Sequence, residues 1–197
     1  MQEIQASKKK NDNRIQRLIH KTERQDPMRL FVGLRPSDDF RTALAVLQER
    51  LHTAGITGRY LEPSNLHMTL AFVGEWPENI TQALPPVGKP FPIILVHPGI
   101  FPEAKVLWAG VEKSEELNRL AQRVRKGLAE NGIPFDPKEF NPHITLVRKP
   151  LVPDGLNLNG IEVPAAQMIV EEVCLYRSER GENGMEYTVI GSTRDRT

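Results

Sequence analysis

The chain has 197 residues, of which 39% are apolar and 26% charged, with a formal net charge of +1. That size and balance suit one folded domain, or two small lobes sharing a core, and exclude wholesale disorder and a uniformly basic surface for coating nucleic acid. The longest uncharged apolar stretch, residues 90–102, is 13 long and holds four prolines, too broken for a membrane span, and the single cysteine, Cys174, excludes a disulfide framework or a paired-cysteine metal motif.

Residues 1–27 carry seven Lys or Arg against four Asp or Glu and no aromatic residue. Three apolar residues at helical spacing, Ile15, Leu18 and Ile19, cannot anchor such a segment, so it is expected to be a flexible basic extension. Charge stands where a signal peptide needs an apolar core, which predicts a cytoplasmic protein.

The folded pattern starts at residue 28. RLFVGLR is rich in β-formers and ends at Pro36 and Ser37, a turn and helix N-cap. Phe40, Ala43, Leu44, Leu47 and Leu51 then make one helical stripe, closed by Gly55, and HMTLAFVG at 67–74 reads as a strand. The same order recurs. KVLWAGV at 105–111 is a strand, Ser114 an N-cap, and Leu117, Leu120, Ala121, Val124 and Leu128 a second stripe before Gly132. Phe31 and Trp108, Gly33 and Gly110, Ser37 and Ser114, Leu51 and Leu128, and Gly55 and Gly132 all lie 77 apart, while His67 and His143 lie 76 apart. Two copies of a strand–helix–strand unit follow, each ending in His-x-Thr-Leu.

Further strands are expected at 91–96, assigned to the first copy, and at 168–176 and 185–191, assigned to the second, the last two joined by a hairpin turn at 181–184. The Pro-rich connections at 75–90 and 149–165 read as loop. The sum is an α+β fold of two pseudo-symmetric lobes, with mainly antiparallel sheets and flanking helices around a central cleft. Residues 28–197 then form a single bilobal domain.

Because side chains two apart in a strand share a face, His67 projects with Thr69 and His143 with Thr145. A two-fold relation between the copies would bring both pairs to one cleft. Imidazole titrates near neutrality, so one ring can take a proton while the other gives one, and threonine hydroxyls can hold phosphate oxygens. A metal site lacks a local third ligand, so no metal and no cofactor are expected. Phe72 is read as the next residue on the face of His67 and Thr69, able to wall the cleft or stack on a base, with Val147 out of phase in the second copy. Cys174 is read as inert packing, and His20, His52 and His97 as incidental.

HMTLAFVG at 67–74 and FNPHITLVR at 140–148 resemble the paired motifs of the 2H phosphoesterase superfamily, in particular the RNA 2′,3′-cyclic phosphodiesterases, also called 2′-5′ RNA ligases. MRLFVGLRP at 28–36, Asn65 with Leu66, LYRS at 175–178 and GMEY at 184–187 strengthen the likeness, which runs over about residues 28–192. The resemblance implies the bilobal 2H fold and metal-independent hydrolysis of RNA 2′,3′-cyclic phosphate ends to 2′-phosphomonoesters. Ligation, the reverse direction, is chemically open to the same groups. His67 and His143 would be the catalytic pair, with the resemblance inclining His67 to the acid and His143 to the base. Thr69, Thr145 and Arg148 would bind substrate. The segment 75–90 is short beside the helix the family leads one to expect, and the basic extension lies outside the family pattern. Modest overall charge points to a small footprint on an RNA 3′ end, drawing on Arg148, Arg59 and Lys149, by a monomer that engages no membrane. Two alternatives stay open: a 2H enzyme for a small cyclic nucleotide or ADP-ribose-type cyclic phosphate, and a non-catalytic RNA-end binding module.

Overall fold

The computed structural model describes residues 26–182 and 184–196; the expected N-terminal extension, apart from Asp26 and Pro27, lies outside the described residues. β1 (Met28–Leu34) runs through Pro36 and Ser37 into α1 (Asp38–Thr53), where the Ser37 hydroxyl oxygen accepts the Phe40 amide at 3.3 Å. The helix ends at Ala54 because Gly55, at φ +89°, turns the chain left-handed and the Ile56 amide folds back onto the Leu51 carbonyl. The second copy uses the same devices. Ser114 caps α2 (Glu115–Glu130), Gly132 sits at φ +68°, and the Ile133 amide donates to the Leu128 carbonyl. Both expected stripes face inward: Phe40, Leu44, Leu47 and Leu51 on α1, and Leu117, Leu120, Val124 and Leu128 on α2, are buried. Each such leucine contributes roughly 1.5–3 kcal/mol.

The remaining strands are β2 (Thr57–Tyr60), β3 (Met68–Trp76), β4 (Phe91–Phe101), β5 (Val106–Val111), β6 (His143–Leu151), β7 (Gln167–Val170), β8 (Cys174–Gly181) and β9 (Gly184–Ser192). They build two antiparallel sheets, one ordered β3-β1-β8-β9 and the other β2-β6-β5-β4-β7. The expected assignment of outer strands to copies is corrected here. β4, which follows the first motif, pairs with β5 of the second copy, whereas β8 and β9 complete the sheet of the first. The apolar run at 168–176 is two strands in different sheets, parted at Glu171 and Glu172, whose carboxylates pair with Arg194 and Arg35 as the chain crosses between lobes. β4 also runs on past residue 96. The lack of an amide proton on Pro98 is absorbed by a register shift between Val96 and Pro98, so the strand continues to Phe101. β2, which the sequence did not announce, carries the first half onto the edge of the second sheet beside β6.

The helices brace the two sheets crosswise. The buried Gln48 amide on α1 donates to the carbonyls of Leu61 (2.9 Å) and Leu146 (3.1 Å), while Arg125 Nε on α2 donates to the Leu70 carbonyl (3.3 Å). Gln48 and Arg125 are 77 apart, and Leu70 and Leu146 are the leucines of the two His-x-Thr-Leu motifs. Each helix is thereby tied to the motif strand of the other copy.

Candidate active site

His67 immediately precedes β3 and His143 opens β6, the two strands that lie against each other where the sheets meet. Each ring is held by its own chain. His67 Nδ1 donates to the Asn65 carbonyl and His143 Nδ1 to the Asn141 carbonyl, both at 2.7 Å. A carbonyl can only accept, so Nδ1 carries the proton and Nε2 of the neutral ring keeps its lone pair. Asn65 is fixed in turn, since its side-chain oxygen accepts the Tyr187 amide and its NH2 donates to the Met185 carbonyl on β9.

The surroundings of the rings differ. His67 is enclosed by Phe31 (centroids 4.5 Å apart), Tyr187 (4.8 Å) and Tyr176 (5.6 Å), with Phe31 stacked on Tyr176 behind it. Burial pushes its pKa down to about 4, against the pull of the Asn65 hydrogen bond, and the nearby Arg148 and His143 lower it further. His143 meets Phe101 edge-on at 5.0 Å and Trp108, the counterpart of Phe31, at 6.2 Å. Burial lowers its pKa as well, again opposed by the backbone hydrogen bond. Of the two rings, His67 carries the larger downward shift.

Two adjoining cavities open on the histidines. One, of about 290 Å³, is lined by His67 with Arg29, Arg59, Arg148 and Tyr187, and the other, of about 360 Å³, by His143 with Phe101, Phe140 and Arg125. Thr69 and Phe72 line both and form the wall between them. Thr145, half-buried on β6 two residues beyond His143, lines neither. Lys149 is exposed and outside both, and Cys174 is buried in the core with its thiol pushed up to about 12 by burial.

Strict alternation from Thr69 would put Ala71, not Phe72, on the cleft face. A β-bulge decides otherwise: Gly33 faces Thr69 while Val32 faces Ala71, so Leu70 and Ala71 are both buried and Phe72 returns to the cleft. β6 has the same bulge, with Trp108 opposite Thr145 and Leu107 opposite Val147, so Leu146 and Val147 are buried and Arg148 faces out. The counterpart of Phe72 is thus Arg148, 76 residues on, rather than Val147. Arg148 then reaches the His67 side, where its Nη2 donates to the Tyr187 hydroxyl at 3.4 Å. Sequence reasoning also missed the aromatic box of Phe31, Tyr176 and Tyr187. The alignment of Phe31 with Trp108 in the repeat was the available signal, but nothing local marks β8 and β9 as neighbours of β1.

Among the described residues no group of three or more His, Cys, Asp or Glu is placed to hold a metal ion, and no helix is long and apolar enough to cross a membrane. Comparison with known proteins places this geometry in context. The chain is 33% identical over 183 residues to the RNA 2′,3′-cyclic phosphodiesterase of Thermus thermophilus, covering 83% of this chain and 88% of that protein. It is 27% identical over 175 residues to the protein of that name from Thermotoga maritima, covering 83% and 93%. Among solved structures, TT0787 of Thermus thermophilus superposes with a TM-score of 0.66 at 32% identity, covering 84% of this chain and 96% of that one. E. coli LigT complexed with 3′-AMP gives 0.66 at 25% identity, covering 85% and 96%. The fold is that of LigT. Residues 36–182 match the model of the 2′-5′ RNA ligase superfamily, and the chain belongs to that superfamily.

Proposed function

We propose that the protein hydrolyses 2′,3′-cyclic phosphate ends of RNA to 2′-phosphomonoesters by acid–base catalysis between His67 and His143. The carrying observation is that both imidazoles stand at equivalent repeat positions in the same Nδ1–H tautomer, each fixed by the carbonyl two residues before it, with Nε2 free to accept a proton. Relatives that match over most of their length bear the name of this activity, which supports the same reading.

The neutral imidazole takes a proton from water as the water oxygen bonds to phosphorus. The bond from phosphorus to the 3′ oxygen breaks, and the protonated imidazole gives its proton to that oxygen. One P–O bond forms and one breaks, one proton is taken and one given, and the phosphate remains on the 2′ oxygen. As written, the reaction needs no metal ion. Thr69, which lines both cavities, supplies a hydroxyl hydrogen bond to a non-bridging oxygen, Thr145 is assigned the same role from its equivalent motif position although it lines neither cavity, and Arg148 offsets the charge. Phe72 walls the site beneath the sugar and base.

The working enzyme carries one proton on the pair. Burial lowers the His67 pKa further than that of His143, so His143 is the ring that holds this proton more readily. That ordering favours His143 as acid and His67 as base, opposite to the inclination that the family resemblance gave. An anionic phosphate between the rings raises both pKa values and stabilises whichever imidazolium forms.

The test is incubation of a short RNA ending in a 2′,3′-cyclic phosphate with wild type, His67→Ala and His143→Ala in EDTA, separating 2′- from 3′-phosphate products. Formation of the 2′-phosphate by the wild type alone is the expected result. Wild-type turnover that disappears in EDTA, or full activity in either variant, would sink the mechanism. A smaller substrate is the second reading, favoured by the relative LigT having been solved with NADP+ and with ATP. Turnover of a cyclic mononucleotide alone would establish it.

A further inference from the structure

The cavity beside His67 holds more positive charge than the reacting group requires. A cyclic phosphodiester carries one negative charge, yet Arg29, Arg59 and Arg148 all line this cavity, and no carboxylate lines it with them. Among the described residues none of the three forms an ion pair with a carboxylate, although Glu75 stands opposite Arg29 in the ladder. Such a cluster of like charges is costly by itself. Arg59 on β2 and Arg148 on β6 are directly paired across the strands, a like-charge juxtaposition that destabilises a sheet unless an anion lies between.

Each arginine is also supported in place. The Arg29 guanidinium lies 5.1 Å from the Phe72 ring centroid in a cation–π contact, which sets it at the wall between the cavities. Arg59 reaches from the second sheet to the β8–β9 hairpin of the first, where a side chain on Gly184 (φ +128°) would put its Cβ 2.9 Å from Arg59 Nη1. The hairpin thus leaves the guanidinium room to face the cavity. Arg148, held by Tyr187 beside His67, is the one placed to serve the reacting phosphate.

We infer that Arg29 and Arg59 bind a second phosphate group, the phosphodiester that joins the reacting nucleotide to the rest of the RNA. This rests on the reading of the cleft as the site of cyclic-end hydrolysis. The pair makes the enzyme select chains over free nucleotides, because a cyclic mononucleotide has nothing to offer it. Paired guanidiniums suit a phosphodiester, whose two non-bridging oxygens accept charge-assisted hydrogen bonds.

Calorimetric titration of the intact chain with three 2′-phosphorylated ligands tests this: adenosine 2′-phosphate, the dinucleotide ApA ending in a 2′-phosphate, and ADP bearing a 2′-phosphate. The wild type is expected to bind the dinucleotide at least about tenfold tighter than the mononucleotide. The double variant Arg29→Gln, Arg59→Gln should lose that advantage to within about twofold, with mononucleotide affinity changed much less than dinucleotide affinity, and Arg→Lys at both positions should restore part of it. Equal wild-type affinities, an advantage that survives in the double variant, or proportional weakening of both ligands would overturn the inference. Tighter binding of the ADP ligand than of the dinucleotide would overturn the RNA phosphodiester as the source. Should the double variant not fold, the wild-type advantage must still shrink as salt rises from about 50 to about 500 mM, and a ratio independent of salt overturns it. Turnover of the corresponding cyclic ligands is read separately. Discrimination without turnover refutes hydrolysis and leaves the phosphate site standing.

Discussion

His67 and His143 have the same residue two positions on, the same hydrogen bond two positions back and the same bulge three positions ahead, yet they occupy unlike environments. The first sits in an aromatic box beside three arginines; the second stands in a more open, largely apolar cavity. The local motif sets geometry, and residues brought from elsewhere set charge. At the position where the repeat offers one site in each half, one copy places Phe72 and the other Arg148, and Arg148 serves the opposite histidine. Identical frames thereby give two bases of different strength.

The largest test of that contrast is removal of either ring. His67→Ala and His143→Ala should each lower kcat by about 10²–10⁴-fold, and the double variant should fall little further, because the two act as a unit. Additive losses in steady-state kinetics would mean that each works alone.

A smaller effect separates the two by stability. His67 titrates near 4 when folded and near 6.5 when unfolded, so between those values the unfolded chain binds more protons. Stability should fall as pH drops from about 6.5 to about 4, by up to about 3 kcal/mol, and the loss should stop below that window. Denaturant titrations of wild type and His67→Gln across the range check this, the variant being expected to lose most of the slope.

The braces come next. Gln48→Ala should cost about 1–2 kcal/mol in chemical denaturation, since it removes buried donors from Leu61 and Leu146. Arg125→Gln, at the equivalent but more exposed position, should cost less. Smallest of all, Arg148→Gln should move the His67 pKa upward by removing a neighbouring cation, with His143 unmoved, as followed by NMR titration of the imidazoles.

Much of this molecule is legible in its sequence because the repeat states it twice. Ser37 and Ser114 cap helices, Gly55 and Gly132 end them, and the two motif strands fall where alternation puts them. The exchange of outer strands is not legible, because self-similarity tells which segments are alike and says nothing of which neighbour each will pair with. The apolar pattern at 168–176 has no break to show that two sheets share it, and only the adjacent Glu171 and Glu172 mark the crossing. Alternation from Thr69 assigns Ala71 to the cleft face, so the reading of Phe72 as the next cleft residue reaches the right side chain without the right reason, and the bulge that puts it there also hides its equivalence with Arg148. Arg29 reads as an ordinary strand residue, since its cavity is assembled from β1, β2, β3, β6, β8 and β9 together.

The exchanged strands also bear on how the chain reaches this state. β1 closes its sheet only when β8 arrives, with Phe31 opposite Tyr176, so nearly the whole described chain must be looped back before the first sheet is complete. Such high contact order predicts slow folding, and the crosswise helices predict that it occurs in a single cooperative step. Neither copy owns a finished sheet. A duplication visible in the sequence has thus become one folding unit, and severing the chain between α1 and β4 should yield two fragments that acquire structure only when mixed.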